Sequence, residues 1–208
     1  MERDDWNQRY RQRDFVWSVD ANRFLVAEVE GLAPGRALDL AAGEGRNAVW
    51  LATRGWSVTA VDWSEVGLDK GRRLAEHQAV KVDWVLADLR EWEAPERAFD
   101  LVVVLYLQPP AEVRHVVWRN AMGAVATGGR LIVIGHDVEN LTEGWGGPSH
   151  RGFLYTPEEV AGEVGEELEV LRADRVLRPV ETDEGPRQAI DNIVVAVRRD
   201  GARPVLED

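Results

Sequence analysis

The sequence predicts an α/β fold of three layers, with a mostly parallel sheet covered by helices on both faces. Short apolar runs alternate with amphipathic segments along most of the chain, which is typical of repeated strand–helix units. The last two β-rich runs, 168–179 and 189–198, have only a loop over 181–187 between them. That length allows a hairpin but not a helical crossover, so we expect the final pair of strands to be antiparallel.

The first half of the chain contains a polar, helix-compatible segment at 4–30, followed by three predicted strands. Pro34-Gly35 marks a turn into the first strand, and Gly55 stands where the following helix should end. Ser64 is a suitable N-cap for the next helix because its hydroxyl can accept a hydrogen bond from the first turn. The expected strands are 36–41, 57–61 and 82–87, and the expected helices begin after 45 and after 64.

The second half begins with the most apolar strand, 99–105, followed by an amphipathic helix over 111–125. A fifth strand is expected at 130–134. The stretch 138–155 is rich in Gly, Ser and Pro and is predicted to be a long loop on the substrate side. Pro157 then suits the first turn of a helix that begins after Thr156.

Composition favours one acidic domain that acts on small molecules. The 208 residues suffice for a single core, and no repeat or boundary divides 1–208. The formal net charge of −12 disfavours binding to nucleic acid or to anionic lipid. The chain has no cysteine, which excludes disulfides and cysteine nucleophiles. No apolar run approaches about 18 residues and the start has no signal-peptide core, so we predict a cytoplasmic protein outside the membrane.

A glycine-containing turn follows the first strand and carries an acid. Gly43-x-Gly45-x-x-Ala48 satisfies the loose spacing of dinucleotide-binding loops, and its glycines let a ligand approach the backbone. Asp39, just before this turn, would repel a pyrophosphate but attract an ammonium group. The loop therefore favours a cationic ligand.

Acids also close the next two strands, at Asp62 and Asp88. A single acid at such a position is more often a helix cap or a solvated loop residue. Three in consecutive units indicate one ligand site at the carboxyl edge of the sheet. Asp62 could accept hydrogen bonds from both ribose hydroxyls, Asp88 from an adenine amine, and Asp39 could face an ammonium group. Together these groups describe S-adenosylmethionine.

Several short motifs follow the order typical of one family. On these residues the chain resembles the class I S-adenosylmethionine-dependent methyltransferases, closest to the tellurite-resistance and thiopurine methyltransferase-like group. The resemblance covers nearly the whole chain. The motifs are Leu38-Asp39-Leu40-Ala41-Ala42-Gly43-Glu44-Gly45-Arg46-Asn47, Val61-Asp62-Trp63-Ser64, Ala87-Asp88-Leu89, Phe99-Asp100-Leu101-Val102, Trp6-x-x-Arg9-Tyr10 and Tyr155-Thr156-Pro157-Glu158-Glu159.

This resemblance implies a Rossmann-like sheet of seven strands in the order 3-2-1-4-5-7-6, with the seventh antiparallel. It also implies that residues 1–30 form a helical lid over the cofactor. Ala41 stands where relatives often have glycine, which leaves the path of the loop open. The implied cofactor-binding residues are Trp6, Tyr10, Asp39, Ala41, Ala42, Gly43, Glu44, Gly45, Asn47, Asp62, Trp63, Ala87, Asp88, Leu89, Leu105 and Tyr106.

The methyl acceptor is less well defined by the sequence. A soft nucleophile, such as a thiol or a chalcogen oxyanion, needs only alignment with the sulfonium and exclusion of water. An alcohol or amine also needs a general base, for which Tyr106 and His136 are the candidates. Trp145, Arg151 and His136 are candidate substrate-binding residues. We predict no metal, because acids do not cluster at the fourth and fifth strand ends.

Two other functions fit the same motifs. One is a Rossmann-type NAD(P)-dependent oxidoreductase, against which stand Asp39 and the lack of a hydride-transfer motif such as Tyr-x-x-x-Lys. The other is a protein that binds S-adenosylmethionine without catalysis. A nucleic-acid substrate is disfavoured because Gln108 precedes Pro109-Pro110, so that the Asn/Asp-Pro-Pro-aromatic motif is absent. A monomer and a homodimer are both compatible with the sequence.

Overall fold

The computed structural model describes residues 2–16 and 18–200, which form one seven-stranded sheet with helices on both faces. The strand order is β3-β2-β1-β4-β5-β7-β6, as the resemblance implies. The strands are β1 Arg36–Leu40, β2 Ser57–Asp62, β3 Asp83–Leu86, β4 Phe99–Leu105, β5 Val125–His136, β6 Glu169–Thr182 and β7 Gly185–Val197. The helices are α1 Arg3–Arg11, α2 Arg23–Val29, α3 Arg46–Thr53, α4 Glu65–His77, α5 Ala111–Ala124 and α6 Pro157–Val164.

The carboxyl ends of β1 to β5 meet at one edge of the sheet, because these five strands pair in parallel. β7 runs antiparallel to both β5 and β6, which confirms the expected final pair. The strand order reverses between β1 and β4, and in open α/β sheets such a switch point marks the ligand crevice. The carboxyl edge at β1 and β4 is therefore the expected centre of the site.

Alternate residues of β1 and β4 fill two separate apolar layers, as the two-residue period of a strand requires. Leu38 and Val102 belong to the layer beneath α5 and α6. Ala37 and Val103 belong to the layer beneath α2 and α3. Asp39 shares the side of β1 that faces α3 with Ala37, so its carboxylate is carried into an apolar layer.

Three boundaries differ from the sequence prediction. The segment 4–30 forms two helices rather than a continuous run, and the Asn22 side chain caps the second by accepting from Phe24 and Leu25 N–H groups. β5 begins five residues early, at Val125, because that residue pairs with Phe99 across a bulge. Most of the predicted loop at 181–187 is strand, so only Asp183 and Glu184 form the turn. The residues at 181–187 are mostly polar and lack the alternation of apolar and polar side chains that predicts a strand.

The β6–β7 hairpin extends past the rest of the sheet. Pairing between β5 and β7 stops at His136 and Asp191, whereas β6 and β7 remain paired down to Thr182 and Gly185. Six residues of β7, or about 20 Å at strand spacing, therefore project beyond the carboxyl edge of β5. Among the described residues, no helix is long and apolar enough to cross a membrane.

Candidate cofactor and acceptor site

The loop between β1 and α3 has a left-handed backbone at three positions. Gly43 and Gly45 have φ of 56° and 75°, which glycine adopts without strain. A Cβ at Gly43 would lie 2.8 Å from the Tyr10 hydroxyl, and one at Gly45 would collide with the Trp84 ring. Ala41 has φ of 61°, a conformation that costs a residue with a Cβ about 1–2 kcal/mol. The loop thus keeps a glycine-like path at Ala41, at a cost in strain.

Asp39 is a buried carboxylate, and one of its oxygens receives no hydrogen bond from the described residues. The residue is 1% exposed, and its Oδ2 has no hydrogen-bond partner among the described residues. Burial, and next the charge of Asp62, raise the pKa of Asp39 to about 7, although the Ala48 N–H and Arg46 oppose the shift. An unsatisfied buried acceptor is costly unless a ligand supplies a donor. An ammonium group would be such a donor.

Arg46 is a cation that interacts with Asp39, and the sequence alone did not identify it as a site residue. It begins α3, is only partly exposed, and interacts electrostatically with Asp39 and Glu44. Burial, opposed by the neighbouring negative groups but assisted by Arg178, lowers the pKa of Arg46. No side chain in 2–16 or 18–200 forms an ion pair or hydrogen bond with its guanidinium. An anionic group could therefore bind there.

Asp62 ends β2 and is held by two backbone donors. Its Oδ2 accepts from Gly43 N–H and its Oδ1 from Ser64 N–H, both at 2.8 Å. Burial raises the pKa of this carboxyl, and the two hydrogen bonds oppose the shift. Each oxygen keeps a second lone pair, which is the arrangement that a pair of ribose hydroxyls requires.

Beside Asp62, a cavity of about 490 Å³ opens at the ends of β2 and β3. Trp63, Ala87 and Asp88 line it, as predicted for the adenine side, together with the start of α1. Asp88 is engaged by Arg90, whose Nε lies 2.9–3.0 Å from both carboxylate oxygens. The Arg90 guanidinium also covers the Trp63 ring at 5.2 Å. Hydrogen bonding from Arg90 lowers the pKa of Asp88.

Helix α1 packs across this region. Tyr10 is buried with its hydroxyl against Gly43, and its ring lies 5.6 Å from that of Trp6. Asn7 Oδ1 accepts from the Ser64 hydroxyl at 2.6 Å, which ties α1 to the start of α4. The predicted lid residues therefore lie over the glycine loop.

Glu44 and Asn47 face the N-terminal segment. Glu44 accepts from Val16 N–H and forms an ion pair with Lys70 at 2.9 Å. Asn47 Oδ1 accepts from Asn22 N–H at 2.9 Å. These two residues hold Val16 and Asn22 against the loop, so they shape the site through the segments that cover it.

Tyr106 follows β4 with φ of 56°, a second strained residue at the carboxyl edge. Its hydroxyl donates to Asp191 Oδ2 at 2.7 Å and accepts from Asn22 Nδ2 at 3.1 Å. Burial, and next the Asp191 charge, raise the pKa of Tyr106 strongly. A phenol that donates to a carboxylate and resists ionisation is a poor general base, which disfavours Tyr106 in that role.

His136 ends β5 beside Tyr106, with the two rings 5.0 Å apart. Its Nδ1 lies 3.0 Å from Oδ1 of Asp191, a fully buried acid that Arg178 Nε also contacts at 2.7 Å. Gly147 packs against the imidazole so closely that a Cβ there would lie 2.8 Å from the ring. The loop at 138–155 is therefore anchored over His136.

The two remaining substrate candidates lie on this loop. Trp145 is 42% exposed and its ring is covered by the Arg187 guanidinium at 5.2 Å, which links the loop to the β6–β7 hairpin. Arg151 donates to the Leu154 carbonyl and to Glu159, so its contacts stabilise the loop and the start of α6. No group of three His, Cys, Asp or Glu side chains among the described residues could hold a metal ion.

Residues 37–129 match the family model of a methyltransferase domain. Over 121 residues the chain is 34% identical to a demethylmenaquinone methyltransferase of Clavibacter sepedonicus, which covers 58% of this chain and 47% of that protein. The chain thus spans about half the length of the curated relatives it matches.

Two solved structures share the fold. TehB from Haemophilus influenzae has a TM-score of 0.72 at 20% identity, over 86% of this chain and 62% of that one. A protein described for the conversion of a disulfide bond into a thioacetal group during echinomycin biosynthesis has a TM-score of 0.73 at 18% identity, over 96% and 93%. The chain therefore contains a match to a methyltransferase domain at residues 37–129 and shares the fold of these solved structures. The predicted fold class is confirmed.

Within this methyltransferase fold the predicted cofactor residues form three groups. Most surround the glycine loop and the adjoining cavity. Leu89 and Leu105 are largely buried in the two apolar layers and support the strand ends from below. Tyr106 belongs instead to a network with His136 and Asp191.

Sequence reasoning missed four residues of the candidate site: Asn22, Arg46, Arg178 and Asp191. Arg46 lay inside the quoted glycine motif, so its position was a usable signal. Asn22 caps α2 and reaches Tyr106 from there, whereas Arg178 and Asp191 lie on the hairpin, whose register brings them to Tyr106. No local sequence pattern predicts such contacts.

Proposed function

We propose that the protein transfers a methyl group from S-adenosylmethionine to a small-molecule acceptor. One observation carries this proposal: among the described residues, Asp39 offers a buried oxygen without a hydrogen-bond donor, and Arg46 beside it offers a guanidinium without a hydrogen-bonded or ion-paired partner. Together they match the ammonium and the carboxylate of an α-amino acid. A nicotinamide dinucleotide presents no such zwitterion, and its pyrophosphate would be repelled by Asp39.

The remaining residues fit the nucleoside. Asp62 would bind the ribose hydroxyls, while Trp63, Ala87 and Asp88 would surround the adenine. When bound, the cofactor supplies an electrophilic methyl group on a sulfonium. The chain's own residues hold that group near Tyr106, and Tyr10 and Trp6 exclude water above the loop. Alignment and exclusion of water are the main requirements of an in-line displacement.

For the acceptor, a thiol or a chalcogen oxyanion is the expectation from the sequence, since a soft nucleophile needs no base. The curated relatives are demethylmenaquinone methyltransferases, and these support a small-molecule acceptor. We also propose that the chain is a single cytoplasmic domain that does not act on nucleic acid. Binding of S-adenosylmethionine without catalysis is the main alternative.

Thermal unfolding with added ligands tests the cofactor assignment. S-adenosylhomocysteine should raise the Tm by mass action, and 5′-methylthioadenosine, which lacks the amino-acid end, should raise it less. NAD should have no effect. Stabilisation by NAD alone would refute the proposal.

Release of S-adenosylhomocysteine across thiols, selenite, tellurite, phenols and amines tests catalysis. Turnover of any of these small molecules supports a methyltransferase. A protein that binds the cofactor but turns over none of them would be assigned as a non-catalytic binder.

A further inference from the structure

The antiparallel register places an acid directly opposite the candidate base. His136 and Asp191 are cross-strand partners at the last paired position of β5 and β7. Arg178 reaches the same carboxylate from β6, where it pairs with Ala189, two residues along. Side chains at opposite and diagonal positions of adjacent strands are close enough to interact. The contact thus follows from the hairpin register.

The charged and polar groups that face Asp191 within residues 2–16 and 18–200 hold it in its ionised form. Oδ2 receives Tyr106 Oη and Arg178 Nε, both at 2.7 Å, and Oδ1 faces His136 Nδ1 at 3.0 Å. Although burial opposes it, the close contacts with His136 and Arg178 lower the pKa of Asp191. A carboxylate only accepts, so the Nδ1 facing it carries the imidazole proton.

This tautomer leaves the lone pair on Nε2. Nδ1 is shut off from solvent, whereas Nε2 has no hydrogen-bond partner among the described residues and is not among their fully buried atoms. The side chain is 14% exposed. The Nδ1 contact is not well aligned for a hydrogen bond, and catalytic hydrogen bonds often align only when substrate is bound. Nε2 is therefore the accessible basic atom beside Tyr106.

Resting on the proposed function, we propose that His136 is the general base of the transfer, that Asp191 positions it, and that the acceptor is a hydroxyl compound such as a phenol. His136 Nε2 takes the hydroxyl proton, and the O–H pair stays on oxygen. That oxygen forms the bond to the methyl carbon, while the carbon–sulfur pair returns to sulfur and neutralises it. A thiolate would need no such dyad. The proton then leaves from Nε2 to solvent.

The tautomer can be measured without turnover. In the intact protein, long-range ¹H–¹⁵N correlation spectra should show His136 with its proton on Nδ1, and Asp191→Asn should move it to Nε2. Asp137→Asn is the matched control, because Asp137 is equally buried and is paired with Arg175 of the same hairpin strand. It should leave the His136 signal unchanged. A proton on Nε2 in the unaltered protein would overturn the proposal.

Kinetics with a phenol and the corresponding thiophenol test the acceptor. At pH 8, His136→Gln and Asp191→Asn should lower kcat for the phenol by about 10²-fold or more and change the thiophenol rate little. Asp137→Asn should leave the ratio of the two rates unaltered. Equal losses with both acceptors, or no phenol methylation by a protein that binds S-adenosylhomocysteine, would overturn the assignment. Failure to bind S-adenosylhomocysteine would instead refute the proposed function.

Discussion

Two buried carboxylates, one in each half of the site, are stabilised in opposite ways. Asp39 has an oxygen with no hydrogen-bond partner in the described part of the chain, and burial raises its pKa to about 7. Asp191 is just as buried, but His136, Arg178 and Tyr106 surround it and its pKa is lowered. The first carboxylate is incomplete without a cationic ligand. The second is completed by the fold itself.

This difference distinguishes a carboxylate that binds a ligand from a carboxylate that positions a neighbouring side chain. A buried polar group without a partner destabilises the free protein, and a ligand that supplies the partner removes that cost on binding. A group whose partners are all internal keeps its geometry whether or not a ligand is present. We therefore expect substitutions in the cofactor half to change affinity, and substitutions in the acceptor half to change rate.

The largest expected effect is the loss of cofactor binding in Asp62→Ala. This change removes the ribose acceptor and leaves the Gly43 and Ser64 N–H groups unsatisfied, at about 1–3 kcal/mol each. Calorimetric titration should show S-adenosylhomocysteine affinity reduced by about 10³-fold or more.

Ser64→Ala is the control for that variant, because it removes the N-cap of α4 at the same strand end. It should lower stability by about 1 kcal/mol, and because it removes only the cap and the Asn7 contact, it should reduce affinity far less than Asp62→Ala does. An unchanged dissociation constant in Asp62→Ala would show that Asp62 only caps the turn.

Opposite pH dependences are expected for the two carboxylates. The folded pKa of Asp39 lies above its unfolded value, so its contribution to stability is present below about pH 4 and lost as pH rises towards 7. Asp39→Asn should then stabilise the free protein at pH 8 by up to about 4 kcal/mol and have little effect at pH 4.

Asp191→Asn should do the reverse, since a lowered pKa stabilises the fold above the unfolded value and is lost as pH falls. Denaturant unfolding of both variants at several pH values measures the two slopes. Slopes of the same sign would contradict the contrast between the two carboxylates.

Arg46→Gln is expected to weaken S-adenosylhomocysteine binding about 10–100-fold, the range for loss of a charge-assisted hydrogen bond. 5′-Methylthioadenosine has no carboxylate, so its affinity should stay constant. Arg54→Gln makes the same charge change at the other end of α3, where Arg54 lies over Trp50, and should affect neither ligand. Equal losses for both ligands would place Arg46 outside the amino-acid subsite.

The same division explains what the sequence could predict. The first strands, the glycine loop and Asp62 belong to contiguous motifs whose periodicity and spacing are local properties, and the strand order was implied by the family that these motifs resemble. The sequence around Asp191 and Arg178 has no pattern that predicts their contacts. The two residues reach Tyr106 only because the register of the β6–β7 hairpin places them beside it. The two-residue turn was missed for the same reason.

The smallest expected effect concerns the backbone of the loop itself. Ala41→Gly should relieve its left-handed strain of about 1–2 kcal/mol, less about 0.5–1 kcal/mol for the greater freedom of an unfolded glycine. Ala79 has φ of 53° just past α4, away from the site, so Ala79→Gly should give a similar gain of about 0.5–1 kcal/mol in denaturant unfolding. If the strain at Ala41 preorganises the loop for its ligand, only Ala41→Gly should also weaken S-adenosylhomocysteine binding. A gain in stability without loss of affinity would mean that alanine at this position is merely tolerated, and that Asp39 and Arg46 alone set the affinity for the amino-acid end.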